Sequence, residues 1–334
     1  MTAPTRGEPI RAALDAMPGG DEAAASAVRE RAADILRPLG ALARLDEVAA
    51  WVATWQRTDR PAIRRPAALI FAADHGVTAA GVSKYPIDVT GAMLTAYRAG
   101  KSTITAFAQI AGASVQAIDI GVGRPTGDIR FEAAMSPERF EEAARAGIDA
   151  VDSLDADLLV LGEMGIGNTT AAAAVAAALG GGEVAAWVGR GTGVDDEGLA
   201  RKREAVRQAV GRIAGVTDPL EVLQEVGGAE LVAMAAAIVA ARHRQLPVLI
   251  DGYVVTAAAL PLATLRSDAL DHCLVGHCSS ESGHRRLLER LGKQPLLDLE
   301  MRLGEGSGAM AAVPLVAMAC VGITDVPTFG EWFG

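Results

Sequence analysis

Six short apolar runs, at 67–72, 114–120, 158–161, 184–188, 247–251 and 273–275, alternate along the chain with stretches of helical length. Helical patterns cover 23–36, 45–55, 87–111, 137–150, 171–179, 196–214, 219–226, 229–242, 254–265, 280–291 and 309–320. Parallel strands need a crossover between them, usually a helix, so this alternation predicts a parallel sheet with helices on both faces. The expected fold is therefore three-layer α/β with a mostly parallel sheet, plus a small helical subdomain from the N- and C-terminal segments. Residues 1–20 read as a loose arm. Residues 21–334 read as one domain, with a large α/β part at about 60–290 and a small helical part from about 21–58 and 291–334.

The run at 158–161 leads into Gly162-Glu163-Met164-Gly165-Ile166-Gly167-Asn168-Thr169-Thr170, and an alanine-rich helix follows. A strand, a glycine turn and a helix N-terminus bring backbone N–H groups and the helix dipole together on an anion. Asn168, Thr169 and Thr170 add short donors that suit a phosphate, or serve only as helix caps. No Gly-Lys-Ser/Thr ends the turn, so it is not a Walker loop. A second glycine cluster, Gly189-Arg190-Gly191-Thr192-Gly193-Val194-Asp195-Asp196, precedes a helix bearing Arg201, Lys202, Arg203 and Arg207. A lysine reaching back from that helix would neutralise a phosphate held between the loops; otherwise these residues form a solvated face.

Two further segments carry polar groups in apolar surroundings. The run at 67–72 ends in Asp74-His75-Gly76, at the carboxyl end of a strand, where open parallel sheets bind ligands. Asp74 is otherwise a turn cap. Near the C-terminus, Glu305 stands between Gly304 and Gly306. Flanking glycines leave room for a ligand, and apolar surroundings raise a carboxyl toward the pKa range of a general base. The plainer alternative is a turn whose Glu caps the next helix.

Taken in order, Phe71-Ala72-Ala73-Asp74-His75-Gly76-Val77, the segment from Gly162 to Thr170, Gly191-Thr192-Gly193-Val194-Asp195, Leu249-Ile250-Asp251-Gly252, His277-Cys278-Ser279-Ser280-Glu281-Ser282-Gly283-His284 and Met301-Arg302-Leu303-Gly304-Glu305-Gly306-Ser307-Gly308 resemble the nicotinate-nucleotide:dimethylbenzimidazole phosphoribosyltransferase family. The resemblance runs from about residue 30 to 322. It implies transfer of the 5-phosphoribosyl group of nicotinate mononucleotide to a benzimidazole-type base, which yields the lower-ligand nucleotide of cobalamin. It assigns Glu305 as the catalytic base. Gly165, Ile166, Gly167, Asn168, Thr169, Thr170, Gly191 and Lys202 would hold the phosphate, with Glu163 at the ribose. Asp74, Tyr85, Met93, Met164, Met301 and Leu303 would form the base pocket, and Gly276, His277, Cys278 and Ser279 would lie near nicotinate. No cofactor and no metal are implied, and the expected state is a homodimer, with Trp51 and Trp55 near its interface.

Composition sets bounds on partners. A net charge of −10 argues against nucleic-acid binding, which needs clustered positive charge. No clean 18-residue apolar span and no apolar leader stand out, so no membrane segment or secretory signal is expected. Three cysteines, Cys273, Cys278 and Cys320, form no paired framework, in keeping with a cytoplasmic, reducing setting. His272-Cys273, His277-Cys278 and His284 match no zinc-finger spacing, and no metal site is assigned.

The chain departs from its relatives in two places. It reads Val89-Thr90-Gly91-Ala92-Met93 and then Ala96 where amide side chains are usual, and the segment at 121–128 is short, with Asp128 in place of a common Asn. Acceptor choice is therefore the open part of the assignment, and a related transferase with another aromatic base is the neighbouring alternative. A transferase using phosphoribosyl pyrophosphate would place its acidic pair before the Thr-Gly loop, whereas Asp195-Asp196 follow Gly191-Thr192-Gly193 here. A non-catalytic nucleotide-binding homologue would leave Glu305 idle.

Overall fold

The computed structural model describes residues 7–334. Its strands β1 (Pro66–Ala73), β2 (Ser114–Gly121), β3 (Leu158–Met164), β4 (Val248–Ile250), β5 (Cys273–His277) and β6 (Pro295–Leu297) form one sheet in the order β2-β1-β3-β4-β5-β6. Every neighbouring pair is parallel, so the sheet expected as mostly parallel is wholly so. The strand at 184–188 is not in the sheet: residues 184–186 make a short 3₁₀ turn, and the Trp187 indole N–H donates to the Gly181 carbonyl at 2.9 Å. β6 escaped the sequence pattern because it is a three-residue edge strand beginning with proline.

Fourteen helices surround the sheet among the described residues: α1 (Glu8–Asp15), α2 (Glu22–Asp34), α3 (Arg44–Gln56), α4 (Val89–Arg98), α5 (Thr103–Ala111), α6 (Pro137–Asp152), α7 (Asn168–Gly180), α8 (Asp196–Arg212), α9 (Pro219–Val226), α10 (Ala229–His243), α11 (Tyr253–Leu265), α12 (Ser282–Leu291), α13 (Ser307–Thr324) and α14 (Phe329–Phe333). Side chains alternate between the two faces of a strand. Leu69, Phe71, Leu159 and Leu161 accordingly meet α6, α7, α10 and α11, while Ala68, Ile70, Leu158 and Val160 meet α3, α5 and α13. Both faces are covered, and all eight residues of β1 are buried.

Three sequence expectations need adjusting. Residues 87–111 are two helices, because Gly100 turns at φ 67° and Ser102 opens α5 with a capping box to Thr105. Part of the expected arm is α1, docked through buried Ile10 and Leu14; residues 1–6 lie outside the described residues. α13 is long and apolar enough to cross a bilayer, yet it carries Pro314 and packs on α3, α5 and β5 as a core helix.

The chain leaves β1 for β2 on one side and returns to β3 on the other. The strand order thus reverses between β1 and β3, and the crevice beyond their carboxyl ends is where such sheets place ligands.

Candidate active site

An open cleft lies beyond the carboxyl ends of β3, β4 and β5. Glu163 and Met164 end β3, and the turn Gly165-Ile166-Gly167, with Gly167 at φ 96°, delivers the N-terminus of α7 without a side-chain cap. The Ile166 amide donates to Thr90 Oγ1 at 3.2 Å, which ties the turn to α4. Lys202, only 1% exposed, donates from Nζ to Thr169 Oγ1 at 2.8 Å, and a methyl group on Gly191 would come within 3.2 Å of Nζ. Burial pushes the ammonium down to about 8, with nearby Glu281 opposing. A helix N-terminus, a glycine turn and a buried amine therefore converge at one end of the cleft, an arrangement fit for a phosphate.

The other end is acidic. Glu163 is buried and its carboxyl is pushed up to about 8, first by desolvation and then by the charges of Asp251 and Glu230; the Asn168 side-chain amide, which donates to Glu163 Oε2, works against this. Glu305 sits at φ 67° between Gly304 at 85° and Gly306 at 88°, three left-handed residues in a row. Its carbonyl presses on Gly162 so closely that a methyl there would lie 2.1 Å from it, so residue 162 has to be glycine. The Glu305 carboxyl is raised by burial first, with Tyr97 and the Ile104 amide opposing, and its Oε2 has no hydrogen-bond partner. Asp251, at the end of β4, holds this loop: its carboxylate accepts from the Gly306 amide at 3.2 Å and the Ala309 amide at 2.8 Å, and His277 Nε2 lies 3.3 Å away. Two carboxyls with raised pKa beside a phosphate-type end are equipment for moving a proton next to a sugar phosphate.

The DBI_PRT family model, described as phosphoribosyltransferase, matches residues 17–332. The chain belongs to this family. Its relatives named nicotinate-nucleotide–dimethylbenzimidazole phosphoribosyltransferase include that of Mesorhizobium japonicum, 49% identical with 96% of each chain covered, and that of Methylocella silvestris, 49% identical with 96% of this chain and 94% of the relative covered. The solved structure of CobT from Thermus thermophilus superposes with a TM-score of 0.88 at 43% identity, covering 92% of this chain and 98% of that one. The protein is thus a phosphoribosyltransferase, an enzyme of pentosyl transfer.

Within this phosphoribosyltransferase the expected site residues divide. Glu163, Met164, Gly165, Ile166, Asn168, Thr169, Gly191, His277, Ser279 and Leu303 line the cleft, Lys202 stands behind Thr169 and Gly191, and Glu305 lies one residue beyond the lining Gly304. Others do not reach it. The Thr170 hydroxyl is fully buried and unpartnered, and Gly167 is packed against Thr78 and His75. Asp74 braces the 121–128 segment instead, its carboxylate accepting from the Gly123 amide at 2.7 Å. Tyr85 is 44% exposed and not among the lining residues, and Met93 is half-buried against the second hydrophobic core. Met301 contributes a carbonyl that accepts from the Ser280 amide at 3.0 Å. Gly276 permits Ala309 to approach, and Cys278 packs with Val275 and Leu288. Asp128 is bound by the Arg130 guanidinium at 2.6 Å and so repels no ligand.

Several cleft residues were not singled out from the sequence. Glu281 and Arg302 line it, and Glu281 Oε2 has no hydrogen-bond partner. Both, like Asp251, lie inside segments that carried the family resemblance, which was the available signal. Tyr97 gave none: it sits on α4, remote in sequence, and its phenol is pushed up by burial and by Glu305 and Glu163.

Proposed function

We propose that the chain transfers the 5-phosphoribosyl group of nicotinate mononucleotide to 5,6-dimethylbenzimidazole or a similar base, giving the α-ribazole 5′-phosphate and nicotinate for the cobalamin lower ligand. The observation that carries this is the pairing of the two ends: buried Lys202 with the glycine turn at one, the raised carboxyls of Glu163 and Glu305 at the other. Nicotinate leaves from a pyridinium, so it needs no proton, and the anomeric carbon gains oxocarbenium character. Attack by the base nitrogen from the opposite face inverts β to α and acidifies the remaining ring N–H. One positioned carboxylate then completes the reaction. Glu305 takes that role, and Met164 and Leu303 bound the flat base. The alternative proton acceptor is Glu163, which lines the cleft itself. No step calls for a metal, so activity should survive EDTA.

The test is chromatography of products from nicotinate mononucleotide with a panel of benzimidazoles, purines and phenols. Binding without release of nicotinate would defeat the enzymatic reading, and strict magnesium dependence would point to pyrophosphate chemistry. We further place the enzyme in the cytoplasm, in keeping with its three buried free thiols, and take it to be a homodimer. Trp55 does not serve that interface, because it is buried beneath the Arg242 guanidinium at 4.2 Å, and the Trp51 indole donates to the Asp271 carbonyl. The exposed apolar side chains Leu39, Met318, Trp332 and Phe333 are the better support for association, and sedimentation of a Trp332→Lys variant would test it.

A further inference from the structure

His75 follows Asp74 at the end of β1, and the chemistry above leaves it without a task. Its imidazole and the Glu230 carboxyl are both fully buried, with Nε2 donating to Oε1 at 2.6 Å. Glu230 stands in the first turn of α10, whose N-cap Gly228 supplies no side-chain cap. The imidazole lies beneath the glycine turn: a methyl group on Gly165 would come within 3.1 Å of its Nε2 and Cδ2, and one on Gly167 within 3.4 Å of its Cβ. On the far side, a methyl on Gly228 would meet His75 Cε1 at 2.4 Å and Glu230 Oε2 at 2.6 Å. The ring is therefore clamped between the turn and the N-terminus of α10, and the carboxyl sets its rotation.

Burying such a pair costs desolvation that an apolar pair of equal volume would avoid. Two of its polar atoms, His75 Nδ1 and Glu230 Oε2, also lack partners. A pair kept under those conditions has its use in the geometry it holds.

We propose that His75 and Glu230 are positioning residues for the turn Gly165-Ile166-Gly167: the carboxyl orients the imidazole, and the imidazole supports the turn from below so that the N-terminus of α7, which the turn delivers, stays aimed at the substrate phosphate. This rests on the reading of that turn as the phosphate site. It also predicts a specific kinetic signature, because only nicotinate mononucleotide carries the phosphate.

Steady-state kinetics of His75→Ala, Glu230→Ala, the double variant and His75→Gln test it, with the wild-type enzyme alongside. Each alanine variant should raise KM for nicotinate mononucleotide roughly tenfold, with KM for dimethylbenzimidazole within about twofold and kcat within about threefold. The double variant should be no worse than His75→Ala, since Glu230 acts through the ring. His75→Gln, whose amide nitrogen can take the place of Nε2, should recover most of the loss. Glu230→Gln keeps the volume of the pair and stands in for any alanine variant that does not fold, with the same split at roughly threefold. KM values rising together for both substrates, kcat falling while KM stays put, or additive single effects would overturn the proposal. Lys202→Ala fixes the parent reading separately: a selective rise in KM for nicotinate mononucleotide there puts the phosphate at this end of the cleft, so a missing split in the His75 and Glu230 variants then falls on this pair alone.

Discussion

The two ends of the cleft are built on opposite principles. At the phosphate-type end the working parts are backbone and one buried cation: the N-terminus of α7, the glycine turn, and Lys202 bonded to Thr169. At the acceptor end the parts are side chains from distant elements, with Glu305 and Leu303 before α13, Tyr97 on α4 and Met164 on β3, and few hydrogen bonds among them. On the proposed function, the first arrangement binds by charge at a fixed place, and the second reads by shape and apolar contact with a carboxyl available for a proton.

The largest expected effect sits at the acceptor end. Glu305→Gln should fold and bind ligands yet lower turnover by roughly two to four orders of magnitude, the usual loss when a positioned base is removed. Glu163→Gln sharpens the comparison, because Glu163 borders both ends. Single-turnover rates of the two variants separate the roles: near-normal turnover in Glu305→Gln beside a collapse in Glu163→Gln would move the base from one carboxyl to the other.

Next comes the phosphate end. Lys202→Ala removes a charge-assisted contact and should weaken nicotinate mononucleotide roughly 10- to 100-fold while leaving the free base little changed. Equal weakening of both, measured by calorimetry, would make Lys202 a structural residue and erase the contrast between the ends.

How the two ends are assembled also explains what the sequence disclosed. The end proposed to hold the phosphate is written in contiguous stretches, Gly162 to Thr170 and Gly189 to Asp196, each lying at the junction of a strand or turn with a helix, so a local pattern points to it. The parallel sheet was legible for the same local reason, as apolar runs with helices between them. The acceptor end depends on which distant side chains meet, which a local pattern does not show: Asp74, Tyr85 and Met93, which the resemblance assigns to the base pocket, are not among the residues that line the cleft. Local pattern also failed where tertiary packing decides: Trp187 anchors a turn that reads as a strand, and Gly100 breaks a continuous helical pattern.

A pH profile probes both ends at once. A general base works deprotonated, so kcat/KM should fall as pH drops through a carboxyl pKa raised above the ordinary range, with the limb near 8 if Glu163 is the base. Lys202 binds phosphate in its protonated form and is held down to about 8, so KM for nicotinate mononucleotide should rise above that pH. Lys202→Ala should abolish the alkaline rise and leave the acid limb in place. An alkaline limb that persists in this variant would belong to another group.

The smallest effect concerns acceptor choice. On α4, Ala92 is exposed and Ala96 half-buried, and an alanine methyl offers no hydrogen bond to a base. Discrimination then rests on shape, and apolar contacts separate small substituents by only about 1–3 kcal/mol, which puts several benzimidazoles within roughly a hundredfold of one another in kcat/KM. Ala92→Gln restores an amide at the rim of the helix and should narrow that spread by a few-fold, since an exposed hydrogen bond has a small net worth. Competition between pairs of bases in one reaction measures the spread directly. A native preference of more than about ten-thousandfold for one base would require buried polar groups that read it, because shape alone does not reach that ratio.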